Sequence, residues 1–368
     1  MRVRQTIAAL FGLALAVVAV ASLLPLAETN VWWVRFFDFP RMQFALLIVV
    51  FAAGFVALGG ITRRGPSRWA GFAALALGFA ALWYHGTKLA PFTPLAATMD
   101  AGGATCGPDE ALRILIVNVR RENREADRIM ALADTYAPDL FLVMETNGWW
   151  DERLNVLDAT YPNRLQDIPD DATYYGMHLF SSLPLDNQEI RHPFNGVTPL
   201  LVTDVMHPAG RLRFYGIHPR PPLTFGRPST LRDGVVLEAA LEAGAAEMPT
   251  ILAGDFNATP WERTVRRAMR LGGLLDPRAG RAPMVSYDAQ SWILRWPLDQ
   301  ILWQPGLSLV DFTVLPSVGS DHYPVMADLC VGGGTEQRTI PPRDDDRAEA
   351  MASLEAARAR EVEGEDED

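Results

Sequence analysis

Three long apolar segments without a charged side chain lie within the first ninety residues of this 368-residue chain. They cover residues 6–27, 42–62 and 69–87. Each is long enough to cross a bilayer as a helix, which needs about 20 apolar residues. We therefore predict that residues 1–90 form a membrane anchor of three transmembrane helices, with the lipid bilayer as their partner.

The basic residues beside these segments predict their orientation, because cytoplasmic loops carry an excess of Lys and Arg. Five arginines lie before the first segment or between the second and third, and two lie between the first and second: Arg2, Arg4, Arg63, Arg64 and Arg68 against Arg35 and Arg41. This bias places everything after about residue 90 outside the cytoplasm. The alternative is that the first segment is a secretory signal cleaved near Ala19-Val-Ala21. The two later segments would still hold the chain in the membrane.

The charge of the chain is uneven. Residues 331–368 contain 12 acidic and 5 basic side chains, a net charge of −7, which leaves −4 of the total −11 for the first 330 residues. Such a body lacks the basic stripe typical of nucleic-acid-binding proteins. Residues 348–362 favour a helix but lack an evident apolar stripe, so we predict that 331–368 is an acidic, disordered tail. Residues 91–110 are rich in Pro, Gly, Thr and Ala and are predicted to be a linker.

The segment 111–330 begins with a strand, a helix and a second strand, at about 112–118, 123–136 and 139–145. Both strands end on a polar residue, Asn118 and Glu145. Ligand sites of α/β sheets gather at the carboxyl ends of the strands. The alternative for either residue alone is an ordinary boundary between strand and loop.

A second feature of this kind is the segment from Thr250 to Pro260. An apolar strand ends in Gly254-Asp255-Phe256-Asn257, and side chains two apart in an extended chain point the same way. We expect Asp255 and Asn257 to face one pocket, with Phe256 in the core and a helix starting at Thr259-Pro260. A carboxylate beside an amide suits a water nucleophile and an anionic substrate. The alternative is a loop in which both side chains cap backbone groups.

Four further polar residues adjoin strands later in the chain: His218, Asp299, Asp321 and His322. Taken singly, a histidine or an aspartate at a strand end is commonly structural. The other candidate histidines, His178, His192 and His207, match no such position and are predicted to be structural or at the surface.

The order of these residues is specific. Asn118, Glu145, His218, Gly254-Asp-Phe-Asn257, Asp299 and Ser320-Asp-His322 together resemble the endonuclease/exonuclease/phosphatase superfamily, over about residues 112–330. The apolar N-terminal segments, Ala258-Thr-Pro-Trp261 and Ser291-Trp292 resemble its bacterial membrane-anchored branch. The resemblance implies a four-layer α/β sandwich, two central β-sheets flanked by helices, as the catalytic domain 111–330. It also implies a multi-pass location in the bacterial inner membrane.

The resemblance further implies hydrolysis of a phosphate ester with Mg²⁺ (or Mn²⁺), a cation that prefers oxygen ligands. Glu145, with Asn118 and Asp321, is the expected metal site. Asp255, held by Asn257, would orient or deprotonate the attacking water. His322 would act as general acid/base or as a cation beside the phosphate, with its tautomer fixed by Asp299. His218 and Asn257 would donate hydrogen bonds to the charge developing on phosphorus. Whether Asp255 or His322 takes the water proton stays open.

One position departs from the family pattern, which commonly has Asp-His where this chain has Asp299-Gln300. A substrate contact made by that histidine would be missing. The expected function is a membrane-anchored, metal-dependent phosphoesterase that cleaves phosphodiesters, with a nucleic acid, a phospholipid or another phosphate ester as substrate. The alternative is a catalytically silent binding or scaffold domain that retains the fold.

Two cysteines, Cys106 and Cys330, lie before the first predicted strand of the domain and at the end of the last. Disulfides persist in the oxidising compartment that the orientation predicts. If the two strands are antiparallel neighbours, a Cys106–Cys330 disulfide could form. The alternative is two free thiols.

Overall fold

The computed structural model describes residues 2–62, 66–169, 175–194, 197–222 and 228–363. The α-helices are α1 (Arg2–Leu23), α2 (Trp32–Phe36), α3 (Arg41–Ala57), α4 (Pro66–Leu89), α5 (Ala126–Tyr136), α6 (Gly148–Leu154), α7 (Thr230–Ala245), α8 (Arg263–Gly272) and α9 (Asp346–Glu363). The strands are β1 (Ala111–Asn118), β2 (Leu140–Thr146), β3 (Asn163–Asp167), β4 (Gly176–Ser181), β5 (Leu185–Arg191), β6 (Leu200–His207), β7 (Gly210–Ile217), β8 (Thr250–Asp255), β9 (Asp299–Trp303), β10 (Leu307–Val314) and β11 (Val325–Val331).

The strands form two mixed sheets. One has six strands in the order β10-β11-β1-β2-β4-β3, and the other has five in the order β5-β6-β7-β8-β9. Each sheet contains one parallel pair, β1 with β2 and β7 with β8, and its other pairs are antiparallel. Four of the predicted polar residues lie at or next to the carboxyl ends of these two parallel pairs: Asn118, Glu145, His218 and Asp255.

Alternation along β1 shows how the layers pack. Ile114 and Ile116 belong to the large core shared by the two sheets, whereas Leu115 and Val117 pack on the other face with residues of α5 and α6. The helices α7, α8 and α9 contribute to the large core from the five-stranded side. Because successive side chains of a strand point to opposite faces, each apolar strand fills two interfaces. The predicted sandwich of two sheets flanked by helices is confirmed.

The N-terminal helices α1, α3 and α4 pack around a small apolar core of their own. The guanidinium of Arg4 donates to the carbonyls of Ala57 and Leu58, so α1 and α3 run antiparallel. In the described part of the chain, one helix, at Val3–Leu26, has the length and hydropathy of a membrane span. The prediction of three such spans is therefore wrong by this criterion.

The lengths and compositions of α3 and α4 explain why these two helices do not meet the criterion for a span. The 17 residues of α3 span about 26 Å at 1.5 Å per residue, somewhat less than the ~30 Å of a hydrocarbon core. Polar residues dilute the apolar character of α4 towards its end, which includes His85 and Lys88. Arg63 and Arg64, used in the orientation prediction, lie outside the described residues.

The acidic tail is largely ordered, contrary to expectation. Helix α9 buries Ala350, Leu354 and Ala357 in the large core, and the buried Asp346 accepts hydrogen bonds from Arg270. These three apolar residues are spaced so that they form a narrow stripe along the helix. The stripe was not recognised in the sequence because two of its residues are alanines. Residues 364–368 lie outside the described part.

The predicted linker also packs on the domain. Asp100 is fully buried and accepts hydrogen bonds from Thr335 and Gln337. Cys106 is bonded to Cys330, with the two Cα atoms 5.4 Å apart. Since β1 and β11 are antiparallel neighbours, the predicted disulfide is confirmed together with its geometric condition.

Candidate functional site

The polar residues predicted from the sequence come together where β1, β2, β7 and β8 end. Asp255, the last residue of β8, lies at the centre of this cluster. Its Oδ2 accepts a hydrogen bond of 3.2 Å from Nδ2 of Asn118 on the other sheet. The same oxygen lies 3.8 Å from Nε2 of His218 and 3.6 Å from Nε2 of His322. Residues from both sheets therefore share one buried carboxylate.

A close approach between strands fixes the position of Asp255. A Cβ at Gly254, whose φ is +142°, would lie 1.9 Å from the carbonyl oxygen of Ile217 on β7. This backbone geometry and this contact exclude a side chain. Glycine thus allows β7 and β8 to pair closely beside the site.

Glu145 owes its direction to an irregularity in β2. The pairing of β2 with β4 shifts between Met144 and Thr146, and Glu145 has a φ of 60°. Bulges of this kind re-aim a side chain next to functional sites. The Oε1 atom accepts a 2.8 Å hydrogen bond from Asn118, and Oε2 accepts one of 3.3 Å from the backbone N–H of Arg121.

Burial, with smaller contributions from the carboxylates of Asp255 and Asp321, raises the pKa of Glu145 to about 7, although the Asn118 hydrogen bond and the charge of His322 both act to lower it. A cation would compensate for this concentration of negative charge.

His322 and Asp299 form a buried ion pair on the opposite side of Asp255. Nδ1 of His322 lies 2.7 Å from Oδ2 of Asp299. Burial alone would lower the pKa of His322, but the carboxylates of Asp299 and Asp255 raise it to about 10. The backbone N–H of His322 also donates to Oγ of Ser320, which fixes the backbone of His322 three residues before β11. The site therefore holds an imidazolium at neutral pH.

His218 differs from His322 in charge. It is buried directly after β7, and Nε2 lies 3.8 Å from Oε1 of Glu145. Its Nδ1 has no hydrogen-bond partner within the described part of the chain. Burial lowers its pKa, although nearby Asp255 opposes this. A neutral imidazole in this position can donate one hydrogen bond into the site.

Asn257 does not have the orientation expected for an extended chain. Its φ is 47°, so the chain turns immediately after β8. The backbone N–H of Asn257, rather than its amide, donates to Oδ1 of Asp255 at 2.9 Å, and the side-chain amide donates to the carbonyl of Pro219. Asn257 therefore holds Asp255 in place and fixes the backbone at Pro219, the residue after His218.

The helix after this turn starts later than predicted. Helix α8 begins at Arg263, preceded by Glu262 as its N-cap residue. The Glu262 carboxylate accepts from the backbone N–H of Thr259, which is one of the two hydrogen bonds of a capping box. The Thr259 hydroxyl makes no return bond within the described part of the chain. Pro260 and Trp261 lie in the turn before the helix.

Asp321 adjoins the same cluster. Its carbonyl accepts a hydrogen bond from the backbone N–H of Ala289, and its carboxylate acts electrostatically on Glu145 and His322. All the residues predicted for the site thus surround Asp255 and Glu145. By contrast, His178 contacts Thr146 and Asp151, while His192 and His207 bond to Asp167 and Ala111.

Gln300 has a structural role in place of a substrate contact. It is fully buried and donates to the carbonyl of Ala258, while its own carbonyl accepts from Arg278. Arg278 is in turn paired with Asp276. The side chain that replaces the usual histidine is therefore engaged away from the cluster.

Two groups of side chains could hold a cation. Ligand atoms of Asp255, Asp299 and His322 lie within 4.8 Å of one another. The imidazolium of His322 is already paired with Asp299, however, and a protonated ring offers no lone pair. Glu145 supplies carboxylate oxygens, which are the kind of donor that Mg²⁺ prefers. Asn118 directs its Nδ2 at Glu145 and Asp255, and its Oδ1 accepts from the backbone N–H of Arg120. Its oxygen would therefore have to exchange that hydrogen bond for a cation.

Some residues next to the site could not be recognised from their sequence context. Arg232 on α7 donates to the backbone carbonyl of Asn257 and pairs with Glu262. Arg35 of α2 reaches the same Glu262 carboxylate at 3.2 Å. The ring of Tyr287 lies 4.8 Å from that of His322. These contacts join parts of the chain that are distant in sequence, and only the Thr259-x-x-Glu262 capping pattern could have indicated one of them.

The chain is similar to several solved structures of other proteins. A solved structure of TDP2 from C. elegans is similar at a TM-score of 0.50 and 13% identity, covering 79% of this chain and 94% of that one. A humanized D. rerio TDP2 gives 0.49 and 17% identity, with 60% and 98% covered. An endonuclease/exonuclease/phosphatase from Beutenbergia cavernae gives 0.45 and 19%, with 61% and 72% covered.

At such identities these likenesses concern the fold alone. The search of curated proteins gave no match. The sequence profile of the Endonuclease/Exonuclease/phosphatase family matches residues 115–322, which is more than half of the chain and includes the whole cluster. The chain therefore belongs to the Endonuclease/Exonuclease/phosphatase family.

Proposed function

We propose that the protein is a membrane-anchored, metal-dependent phosphodiesterase whose active site is the cluster around Asp255 and Glu145. The observation that carries this proposal is that a carboxylate suited to bind a cation and an imidazolium suited to bind a phosphate lie on opposite sides of Asp255. On one side lies Glu145, which is crowded by carboxylates, and on the other side lies the His322 imidazolium held by Asp299. A family member with this arrangement has groups for a cation, a water and an anionic phosphate within one small space.

Glu145, with Asn118 and Asp321, would hold a divalent metal, Mg²⁺ or Mn²⁺. The elevated pKa of Glu145, caused first by burial, supports the fit, because a cation would stabilise its charged form. When bound, such an ion supplies Lewis-acid polarisation of the phosphoryl oxygen and charge stabilisation.

Asp255 would orient the attacking water and accept its proton. Its Oδ1 is fixed by the backbone N–H of Asn257, and its Oδ2 is directed towards the two histidines. His322 is less suited to the role of base, because the carboxylates of Asp299 and Asp255 keep its pKa near 10 despite burial. This difference favours Asp255 for the step that the sequence left open.

His322 would instead contact the phosphate as a cation and donate a proton or hydrogen bond to the departing oxygen. Asp299 fixes the ring through Nδ1 and leaves Nε2 directed into the site. The neutral His218 would donate to the charge that develops on phosphorus. The amide of Asn257 is engaged with Pro219, so Asn257 contributes by positioning rather than by this donation.

Membrane attachment through the N-terminal helices is part of the proposal. Helix α1 meets the criterion for a span, and large apolar side chains of α1, α3 and α4 face outward. Leu13, Val17, Leu46, Val50 and Phe79 are examples. A bilayer would cover surfaces of this kind. The disulfide supports the extracytoplasmic side for the domain, since disulfides persist in oxidising compartments.

A nucleic acid is the alternative to a phospholipid or another phosphate ester as the substrate. A similar solved structure of D. rerio TDP2 is a complex with a single-strand DNA product, which is a property of that protein. In this chain, a cleft beside the site has mixed charge rather than a basic stripe, and is lined by Arg120, Glu122, Asn123, Arg124, Glu125 and Gly319. A steep loss of affinity with salt would favour the nucleic-acid alternative.

The test is turnover of bis(p-nitrophenyl) phosphate by the full-length protein in detergent with Mg²⁺ or Mn²⁺. We expect Glu145→Ala and His322→Ala each to lower kcat by about 10²–10⁴-fold. The matched control is His192→Ala, since this histidine contacts Asp167 away from the cluster. Equal turnover in all four proteins would contradict the assignment of the site. A complete lack of turnover and of metal binding would favour a catalytically silent scaffold.

A further inference from the structure

A loop in the segment between α8 and β9 carries exposed apolar side chains at its tip. Trp292, Ile293 and Leu294 are 87%, 50% and 51% exposed. The base of the loop is fixed by backbone pairing of Tyr287 with Trp296, whose rings stack at 5.9 Å. Ser291 Oγ accepts from the backbone N–H of Leu294 and shapes the tip. The loop therefore holds these three apolar side chains out in a defined conformation.

The tip lies beside the first turn of α3. Nε2 of Gln43 donates a 2.7 Å hydrogen bond to the carbonyl of Ile293. Nearby, the ring of Phe39 meets that of Trp296 at 5.6 Å. The outward apolar residues of α3 start at Leu46, one turn beyond Gln43. The apolar surface of α3 is thus continuous with the tip of the loop.

This continuity indicates what covers the tip. Helix α1, which has the length and hydropathy of a span, packs antiparallel to α3, so the end of α1 lies beside the start of α3. A bilayer around α1 would therefore place Gln43 near the headgroups, and the tip would meet the same boundary. Tryptophan is enriched at that boundary, because its ring is apolar and its N–H can remain hydrated. Trp32 and Trp33 of α2, which precede α3, are also partly exposed. A lipid surface therefore fits the tip and the surrounding aromatic residues.

The other end of the same loop forms a wall of the candidate site. Tyr287 lies against His322, and the backbone N–H of Ala289 donates to the carbonyl of Asp321. Ala289 and Trp292 are three positions apart in the chain, so their Cα atoms are at most about 11 Å apart. An inserted tip would bring the site to within about this distance of the headgroups.

From these contacts we infer that the 288–295 loop inserts its tip into the membrane interface and presents the active site to the phosphate of a membrane lipid. The inference rests on the proposed function for the nature of the reaction, but the contact with the bilayer does not depend on turnover. The substrate class is a phosphate ester that carries an apolar chain and remains in the bilayer.

Contact with the bilayer is tested without any activity. The full-length chain, with Ile293→Cys, is spin-labelled and reconstituted in nanodiscs of phosphatidylethanolamine and phosphatidylglycerol. The matched control is Val156→Cys, an exposed apolar position next to α6. We expect the label at 293 to be shielded from a water-soluble relaxation agent and accessible to oxygen, with the opposite at 156. Equal exposure to the aqueous agent at both positions would overturn the insertion.

The substrate class is tested with the combined variant Trp292→Ser, Ile293→Ser and Leu294→Ser. The reaction expected with these lipids is attack of water on phosphorus with cleavage of the bond from phosphorus to the diacylglycerol oxygen, which leaves with a proton as the diacylglycerol hydroxyl. We expect release of the phosphorylated headgroup from the nanodisc lipids to fall about tenfold or more, because the site is no longer held at the interface. Turnover of soluble bis(p-nitrophenyl) phosphate should remain unchanged. Val156→Ser should affect neither reaction.

The remaining outcomes separate the two proposals. Turnover of the soluble diester without turnover of either lipid would overturn the lipid-substrate inference and leave the phosphodiesterase proposal standing. Lipid turnover that is equal in the variant and the wild type would also overturn it. Failure with the soluble diester and with lipid would overturn both assignments of activity, while the spin label would still decide the insertion.

Discussion

Glu145 occupies a left-handed backbone conformation, with a φ of 60°, that few residues other than glycine adopt. Strained positions of this kind cluster at functional sites and persist when the surrounding structure holds them. Here the bulge in β2 and the hydrogen bonds from Asn118 and Arg121 hold the residue. The polar end of the strand was predictable from the sequence, but the bulge was not, because it depends on the pairing with β4.

The pKa of Glu145 makes metal binding dependent on pH. Burial raises this pKa from 4.5 to about 7, so in the metal-free protein a proton occupies the carboxyl below that value. The proton competes with the cation, and we expect metal affinity measured by calorimetry to fall about tenfold per pH unit below 7 and to level off above it.

The effect on folding has the opposite sign. Since the folded state binds this proton more tightly than the unfolded state, Glu145 stabilises the metal-free protein below pH 4.5, and this contribution is lost as pH rises through about 7.

Glu145→Gln should remove the pH dependence of metal binding together with most of the affinity. A wild-type affinity that does not change between about pH 5.5 and 8 would contradict this account.

Asp299 should control the charge of His322. Burial lowers the pKa of the imidazole, and the carboxylates of Asp299 and Asp255 raise it to about 10. Asp299→Asn removes the larger of these two favourable effects, so the imidazolium should be lost at a lower pH than in the wild type. We expect kcat for a chromogenic diester to be about 10²–10³-fold lower, and its decline at alkaline pH to begin earlier. An unchanged pH profile would show that Asp299 acts only by packing.

At the scale of elements, the closest contact beside the site is between β7 and β8. Gly254→Ala would place a Cβ 1.9 Å from the carbonyl oxygen of Ile217, at a φ that side chains rarely adopt. We expect a loss of about 2–4 kcal/mol in unfolding free energy, or failure to fold, because neither strand can move without disturbing the core. Gly103→Ala is the control, since its φ is also positive but its Cβ would meet nothing within 4 Å. Equal thermal stability of the two variants would contradict the assigned contact.

Helix α9 should be part of the folded domain. Leu354 is buried in the large core, whereas its neighbour Glu355 is exposed. Leu354→Ala should therefore cost about 2–5 kcal/mol of unfolding free energy, while Glu355→Ala should cost less than about 0.5 kcal/mol. Thermal unfolding in detergent provides the comparison. A neutral Leu354→Ala would mean that the tail is dispensable for stability.

The tail also shows where prediction from the sequence stopped. The first two strands of the domain, the strand β8 and the polar strand ends were predictable, since apolar runs and an ordered motif carry that information. The burial of α9 depends on small residues. Ala350 and Ala357 both lie in the large core, and Ala357 packs closely on α7 because position 234 is a glycine. A contact of this kind can be predicted only when both packing surfaces are known. The acidic composition of the tail alone therefore led to the wrong expectation.

At the scale of the whole molecule, the disulfide and a buried ion network tie the terminal segments to the domain. Arg35 reaches Glu262, which pairs with Arg232, and Arg232 donates to the carbonyl of Asn257. The segment between α1 and α3 is therefore connected to the turn that fixes Asp255. This long-range arrangement was not predictable, because it joins residues more than 200 positions apart.

The Cys106–Cys330 disulfide should be a major contribution to stability. It links residues separated by 224 positions, and cross-links that close long loops restrict the unfolded chain most. We expect reduction, or the paired change Cys106→Ala with Cys330→Ala, to lower the unfolding free energy by about 2–4 kcal/mol. Calorimetry of the oxidised and reduced full-length protein measures this difference. An unchanged melting temperature after complete reduction would contradict the expectation.

The central claim is that the cluster around Asp255 and Glu145 hydrolyses phosphodiesters with a divalent metal. The most direct measurement is turnover of bis(p-nitrophenyl) phosphate by the full-length protein after removal of metals with EDTA, followed by titration with Mg²⁺ or Mn²⁺. We predict that turnover is lost with EDTA, returns with the metal and fails to return in Glu145→Ala. Turnover that is insensitive to EDTA, or that returns equally in Glu145→Ala, would contradict the claim.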